Sequence, residues 1–326
     1  MKAMVLTKVG APLEMMTLTD PIVTGDSVIV DVIAAALNRR DLYITQGLYP
    51  GIETPAVLGS DAVGLVQGKR VVIQPGLRWG NDEHVQAAEY EVLGMPTNGT
   101  LAEHVVVPSD NVYACPNHLT DVEAAALPLA GLTAYRALVT KALAGNAASA
   151  GKPKTVVVTG AGGGVATFAI QFAAALGHEV YVTSSADEKI AFAKTIGAKG
   201  GVKYTDTDWT SELRELTGGI DAVVDGAGGQ GLTSLTKLMR PGGRLAFYGG
   251  TTGSIPKLSP QLLFWRQLTL CGSTMGSPRE FAAMLALVSK YEVRPVVDSV
   301  SPLSEANDAL EKMNSGNQTG KLVLRI

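Results

Sequence analysis

The rhythm of apolar residues changes near residue 125. Before it come short β-branched runs: Ser27–Ala35, partly alternating, then Arg70–Gln74 and His104–Pro108. Prolines and glycines punctuate them at Pro21, Gly25, Pro50, Gly51, Pro55, Gly59, Gly64, Gly68, Pro75 and Gly76. Short strands broken by turn residues predict a barrel-like β domain. After the change, Asp121–Leu143 is rich in Ala and Leu and predicts two helices interrupted by Pro128 and Gly131. Strand and helix patterns then alternate: Val156–Thr159, Ala166–Leu176, Glu179–Thr183, Asp187–Ile196, a strand near Gly201–Tyr204 and a polar helix near Trp209–Leu216. Ile220–Asp225, Leu232–Leu238, Gly243–Tyr248 and Leu268–Ser273 continue the alternation. Repeated βαβ units build a parallel sheet with helices on both faces. The last stretch, Arg294–Ile326, predicts a strand, a helix over Ser304–Asn314 and a final strand that returns to the first domain. The expected division is residues 1–123 with 294–326, and 124–293.

The alternating part opens on TVVVTGAGGGVATFAIQFAAALG, Thr155–Gly177. A strand runs into Gly160, Gly162, Gly163 and Gly164, and a helix follows at once. Glycines let the backbone turn tightly and approach a pyrophosphate, and the helix N-terminus offers unpaired N–H groups to it. An NAD-preferring site closes its second strand with an acidic residue about 20 residues past the glycines. Here the strand ends in Thr183, Ser184 and Ser185, while Asp187 and Glu188 fall in the next helix's first turn. Two hydroxyls and Lys189 suit a 2′-phosphate better than a free diol, so the cofactor is read as NADPH. DGAGG, Asp225–Gly229, and YGGTTG, Tyr248–Gly253, fall at further strand ends of the same edge.

Composition narrows the class. The 326 residues are long enough for two domains, and the formal charge of −3 argues against a nucleic-acid or anionic-membrane partner bound by charge. The 2 cysteines, Cys115 and Cys271, form no disulfide framework or cysteine-rich zinc site. The first residues, broken by Gly10 and Pro12, lack the apolar core of a secretory signal, and a cytoplasmic enzyme is expected.

Six segments together resemble the medium-chain dehydrogenase/reductase superfamily, on its quinone-oxidoreductase-like side. They are ALNRRDLYITQGLYP (Ala36–Pro50), PAVLGSDAVG (Pro55–Gly64), PLAGLTAYRAL (Pro128–Leu138), VTGAGGGVA (Val158–Ala166), TSSADEK (Thr183–Lys189) and the terminal GKLVLRI. The resemblance implies an α/β protein, with a GroES-like β-barrel domain and a doubly wound Rossmann domain. It implies hydride transfer from NADPH to quinones, enones or other activated alkenes and carbonyls. A homodimer or homotetramer joined through the Rossmann sheet is also implied. The competing reading is an NADPH-binding structural or regulatory protein with little turnover.

The departures carry as much information. Zinc-dependent members have Cys where Asn38 stands and Gly-His-Glu where this chain has Gly59-Ser60-Asp61. Asp61 alone cannot hold catalytic zinc, which needs three good ligands. His84, His104, His118 and His178 show no ligand spacing, so zinc-independent chemistry is expected. The fingerprint ends in Ala166 rather than glycine, which helix–strand packing tolerates. Only LVQGKR stands between Gly64 and Val71 where the family has a longer hairpin.

Without a metal, the oxygen that gains charge on hydride attack needs a hydrogen-bond donor. Asn38 offers an amide, and Tyr43 a phenol that keeps its proton at neutral pH; packing against substrate is an equal role for Tyr43. By resemblance Asn38, Asp41 and Tyr43 face the nicotinamide pocket and Tyr49 borders the substrate entrance. Arg39 and Arg40 are expected at the surface or in ion pairs. Among cofactor contacts, Thr133 approaches the nicotinamide end, Gly163, Gly164 and Val165 cradle the pyrophosphate, and Ser184 and Lys189 hold the 2′-phosphate. Gly226 and Ala227 line the strand edge, Gly250 and Thr251 flank the nicotinamide, and Lys321 reaches back toward the cofactor.

Overall fold

Valines fill the strand Thr155–Thr159, and all of its residues are buried. A strand covered on both faces belongs in the middle of a parallel sheet. A computed structural model, which describes residues 1–144 and 152–326, places it there. The sheet's six strands run Ala198–Lys203, Glu179–Ser184, Thr155–Thr159, Ile220–Asp225, Met239–Phe247, Thr269–Gly272, every adjacent pair parallel. Chain order runs outward in both directions from Thr155–Thr159. The reversal there is the switch point of a doubly wound sheet, where such folds bind ligands at the strands' C-terminal ends. Helices Gly164–Ala175, Asp187–Thr195, Trp209–Thr217 and Gly229–Thr236 connect the strands. Val157, Val223, Leu213, Leu235 and Leu245 share one buried cluster.

The chain divides into two units: Met1–Leu132 with Ser277–Ile326, and Thr133–Gly276, which holds the parallel sheet. In the first unit the long strand Ser27–Ala36 organises the β structure. Its first half pairs antiparallel with His104–Pro108, Val30 opposite Val105. Its second half pairs antiparallel with Asp61–Val66, Ala36 opposite Asp61. The same end pairs antiparallel with the C-terminal strand Lys321–Arg325, Ala36 opposite Val323. The ends of two distant segments therefore flank Ala36, which is the local reason a polar cluster forms next to it.

One expectation changes in this unit. Gly131 does not interrupt a helix: Pro128 opens the helix Pro128–Tyr135 and Gly131 lies inside it. A Cβ there would stand 2.8 Å from both Leu127 Cδ1 and Met284 Sδ, so the glycine serves close packing. The short LVQGKR segment forms a complete hairpin, with Val66 opposite Lys69. Gln67 and Gly68 turn the chain at φ 50° and 76°, the left-handed pair a two-residue hairpin turn demands. The helix Pro278–Lys290 carries a readable start signal, Ser277 with Glu280 in reciprocal capping bonds. Among the described residues no helix is long and apolar enough to cross a membrane.

Candidate functional site

In the first unit, the strand Ser27–Ala36 ends two residues before Asn38, which caps the helix Arg39–Thr45. Pairing continues past the strand, with Leu37 N–H donating to Leu322 O at 3.0 Å. This register sets Lys321 beside Asn38 on one side, as Ala36 opposite Asp61 sets the carboxylate on the other. Lys321 Nζ donates to Leu37 O at 2.7 Å, to Asn38 Oδ1 at 2.5 Å and to Asp61 Oδ2 at 3.0 Å. Asn38 Nδ2 donates to the same Asp61 Oδ2 at 2.9 Å. The other carboxylate oxygen, Oδ1, accepts the Leu129 N–H at 2.7 Å, near the start of a helix whose dipole favours an anion. Asn38, Asp61 and Lys321 are 6%, 0% and 3% exposed. Burial strips water from these charges, so the partners must replace it.

The expectation that Lys321 reaches toward the cofactor changes here. An ammonium has three donors, and all three are spent inside this unit. Asp41, expected to face the pocket, is fully buried and works as a cap. Its Oδ2 accepts the Asn38 N–H at 2.8 Å and its Oδ1 the Gly59 N–H at 3.3 Å. Burial pushes the Asp41 carboxyl above the usual carboxylate range, against the pull of Arg40, the Asn38 N–H and Lys321. Asp41 thus ties the Asn38 turn to the Gly59 turn and has no exposed surface.

Arg40 is not at the surface. Its guanidinium donates to Ser60 Oγ and Leu93 O, both at 2.8 Å, and lies 4.9 Å from the centre of the Tyr49 ring. Ser60 Oγ donates in turn to Leu93 O at 2.7 Å. Arg40 therefore holds Tyr49 and Ser60 together, a role its position in a run of charges concealed. Arg39 donates to Met313 O at 3.1 Å. Tyr43 is half-buried on the helix Arg39–Thr45, and its hydroxyl has no protein partner among the described residues.

In the second unit, the turn after Thr155–Thr159 is built from main chain. Gly160 takes φ 68°. Gly160 and Ala161 both donate to Thr183 O, and Gly163 donates to Gly160 O. Gly163 caps the helix Gly164–Ala175 and no side chain closes that end, so among the described residues the first N–H groups of Gly164 and Val165 are left to meet an anion. A Cβ on Gly162 would come within 2.7 Å of Lys189 Cδ, so Lys189 lies over the glycine turn. Ser184, buried at the end of its strand, accepts the Ala186 N–H at 3.3 Å. Asp187 and Glu188 lie in the first turn of the next helix.

The two further glycine loops are zipped together. Thr252 N–H donates to Ala227 O at 2.8 Å and Gly229 N–H to Gly253 O at 3.1 Å. Gly226 packs under the Tyr248 ring, where a Cβ would meet the hydroxyl at 2.5 Å. Gly250 and Thr251 are exposed at the tip. Asp225 anchors this edge: its Oδ1 accepts Thr159 Oγ1–H at 2.8 Å and its Oδ2 the Gly228 N–H at 2.7 Å. Thr133 is buried and lies 3.7 Å from Met275 Sδ. The structure thus sets Gly163, Gly164 and Val165 at one turn with Lys189 over it, Ser184 at the end of the adjoining strand, and Gly226, Ala227, Gly250 and Thr251 in a second loop pair.

Comparison with known proteins meets this geometry at both units. The alcohol dehydrogenase GroES-like domain matches residues 24–117, and the zinc-binding dehydrogenase domain matches residues 164–290. A zinc-type alcohol dehydrogenase-like protein of Leptosphaeria maculans is 35% identical over 97% of this chain and 95% of its own. The chain belongs to the medium-chain dehydrogenase/reductase superfamily. It is an oxidoreductase of the alcohol dehydrogenase-like class. Among solved members, an NAD-dependent alcohol dehydrogenase is 35% identical with a TM-score of 0.91, covering all of both chains. The quinone oxidoreductase of Thermus thermophilus, also solved with NADPH, is 30% identical with a TM-score of 0.83, again covering all of both chains. The superfamily thus spans both zinc-type and quinone-reducing relatives of this chain.

Proposed function

We propose that this chain is an NADPH-dependent reductase that passes hydride to quinones, enones or other activated carbonyls, without zinc. The Lys321 ammonium, 3.0 Å from Asp61 Oδ2 and 2.5 Å from Asn38 Oδ1, carries this reading. By resemblance Asn38, Ser60 and Asp61 stand where zinc-dependent members have ligands. Here Asn38 and Asp61 hold the chain's own cation, and Ser60 is engaged by Arg40. An amide, a hydroxyl and a carboxylate already bound to an ammonium do not fit a zinc site, which takes Cys, His and carboxylate donors.

The Gly160–Gly164 turn fits the pyrophosphate of a dinucleotide, and Ser184 with Lys189 fits a 2′-phosphate. A bound NADPH would supply the hydride. Unit 1 supplies the polar group for the substrate: the amide of Asn38 or the hydroxyl of Tyr43 donates to the oxygen that gains charge. Final protonation by water needs no dedicated acid. The NADPH-binding protein with little turnover is separated from this reading by one assay. NADPH absorbance is followed with a panel of quinones and enones. Consumption that depends on the acceptor supports the reductase; tight NADPH binding with no consumption across the panel overturns it.

A further inference from the structure

The Asn38 amide sits between two opposite charges. Its oxygen accepts from the Lys321 ammonium and its nitrogen donates to the Asp61 carboxylate. A flipped amide would set NH₂ against NH₃⁺ and a carbonyl against a carboxylate, so the charges permit one orientation. Nδ2 has two N–H bonds, and Asp61 takes one. The second has no protein acceptor among the described residues, although Asn38 is more than nine-tenths buried. In folded proteins the hydrogens of a largely buried amide find an acceptor in protein, water or ligand, so this one is open to a ligand acceptor. Accepting from an ammonium also draws electrons from the amide, and hydrogen bonds in series strengthen one another at low dielectric.

The geometry points to Lys321 and Asp61 as positioning residues that orient and polarise Asn38, whose second Nδ2–H binds the substrate's carbonyl oxygen. The inference rests on the reductase reading for its substrate. Lys321 acts through Asn38 and makes no contact with cofactor or substrate. Asp61 fixes the amide nitrogen and holds the ammonium in place. The Leu129 N–H and the first turn of its helix neutralise the far side of the carboxylate.

The test is a double-mutant cycle on Lys321 and Asn38, read in kcat, with NADPH Kd measured alongside. Asn38→Ala should lower kcat by about 10²–10³, the loss of one preorganised donor. Lys321→Met should lower kcat by at least about tenfold and leave NADPH Kd within about twofold. In the Asn38→Ala background the same change should cost less than about threefold, because its effect runs through the amide. Lys321→Met/Asp61→Asn removes the ion pair without stranding a buried charge, and serves if Lys321→Met alone does not fold. Full additivity, or a loss of NADPH affinity of about tenfold in either Lys321 variant, overturns the proposal. The orientation is read independently in the side-chain amide resonances of selectively ¹⁵N-labelled asparagine. A resonance assigned by Asn38→Ala should shift in the Lys321 variants and on adding a carbonyl substrate analogue. If the wild type turns over no acceptor, the reductase reading fails and the resonances decide. An amide signal unmoved by loss of Lys321 then overturns the positioning role as well.

Discussion

Asp61 and Asp225 are both fully buried, one in each unit, and they are satisfied in different ways. Asp61 faces a cation: Lys321 and Asn38 share one of its oxygens and the Leu129 N–H holds the other. Among the described residues Asp225 has no cation as a hydrogen-bond partner. It is held by neutral donors, the Thr159 hydroxyl and the Gly228 N–H, and burial pushes its carboxyl above the usual range. Asp61 gathers polar side chains into a charged cluster that presents an amide. Asp225 ties strand ends to a glycine loop, leaving main chain and small residues at the edge. In the proposed function the first arrangement polarises the substrate, and the second seats a phosphate-bearing ligand close to the backbone.

The largest effect should come from breaking the charged cluster. Lys321→Met strands a buried carboxylate and should cost about 3–5 kcal/mol, whereas Lys321→Met/Asp61→Asn should recover a large part of it. Chemical unfolding of both variants checks this. A double variant no more stable than the single one would show that the ion pair does not set the cost.

In the second unit, Lys189→Glu should weaken NADPH and spare NADH, since a charge-assisted contact to phosphate is worth about 1.5–3 kcal/mol, roughly tenfold or more in Kd. Titration of both cofactors decides it. Equal affinity of the wild type for NADPH and NADH would remove Lys189 and Ser184 from phosphate recognition.

Asp225→Asn should cost about 1–3 kcal/mol, because an amide cannot accept at both positions and one donor is left unpaired. The cost should also depend on pH. A carboxyl raised in the folded state favours folding while protonated, and that contribution is lost as pH rises from the unfolded value through the folded one. The penalty of Asp225→Asn should therefore be larger in acid than at neutral pH. Unfolding measured across that window tests the sign; a penalty that grows toward neutral pH would mean Asp225 is stabilised as the anion.

What could be read from sequence follows the same division. The glycine turn, its flanking strand and helix, and the absence of an acidic residue at Ser184 are local features, legible within about 30 residues, the length of a βαβ unit. The charged cluster is not local: Asp61 and Lys321 are 260 residues apart, and only the pairing of Asp61–Val66 and Lys321–Arg325 around Ala36 brings them together. Asn38 and Tyr43 could be proposed as donors from residue type. The partners that orient Asn38, and the use of every Lys321 donor within one unit, needed strand register. Arg40 was obscured for a related reason, since its acceptors Ser60 and Leu93 lie in other segments. Gly131 reads as a break by type and acts as a packing contact, because what matters there is the nearness of Leu127 and Met284.

The proposed metal-free polarisation rests on the Lys321–Asp61–Asn38 cluster. Its most direct measurement is NADPH-dependent turnover of the best acceptor before and after exhaustive chelation, with zinc content determined on the same samples. No stoichiometric zinc and unchanged turnover are expected. One zinc per chain, with activity lost on chelation and regained on zinc addition, would contradict it.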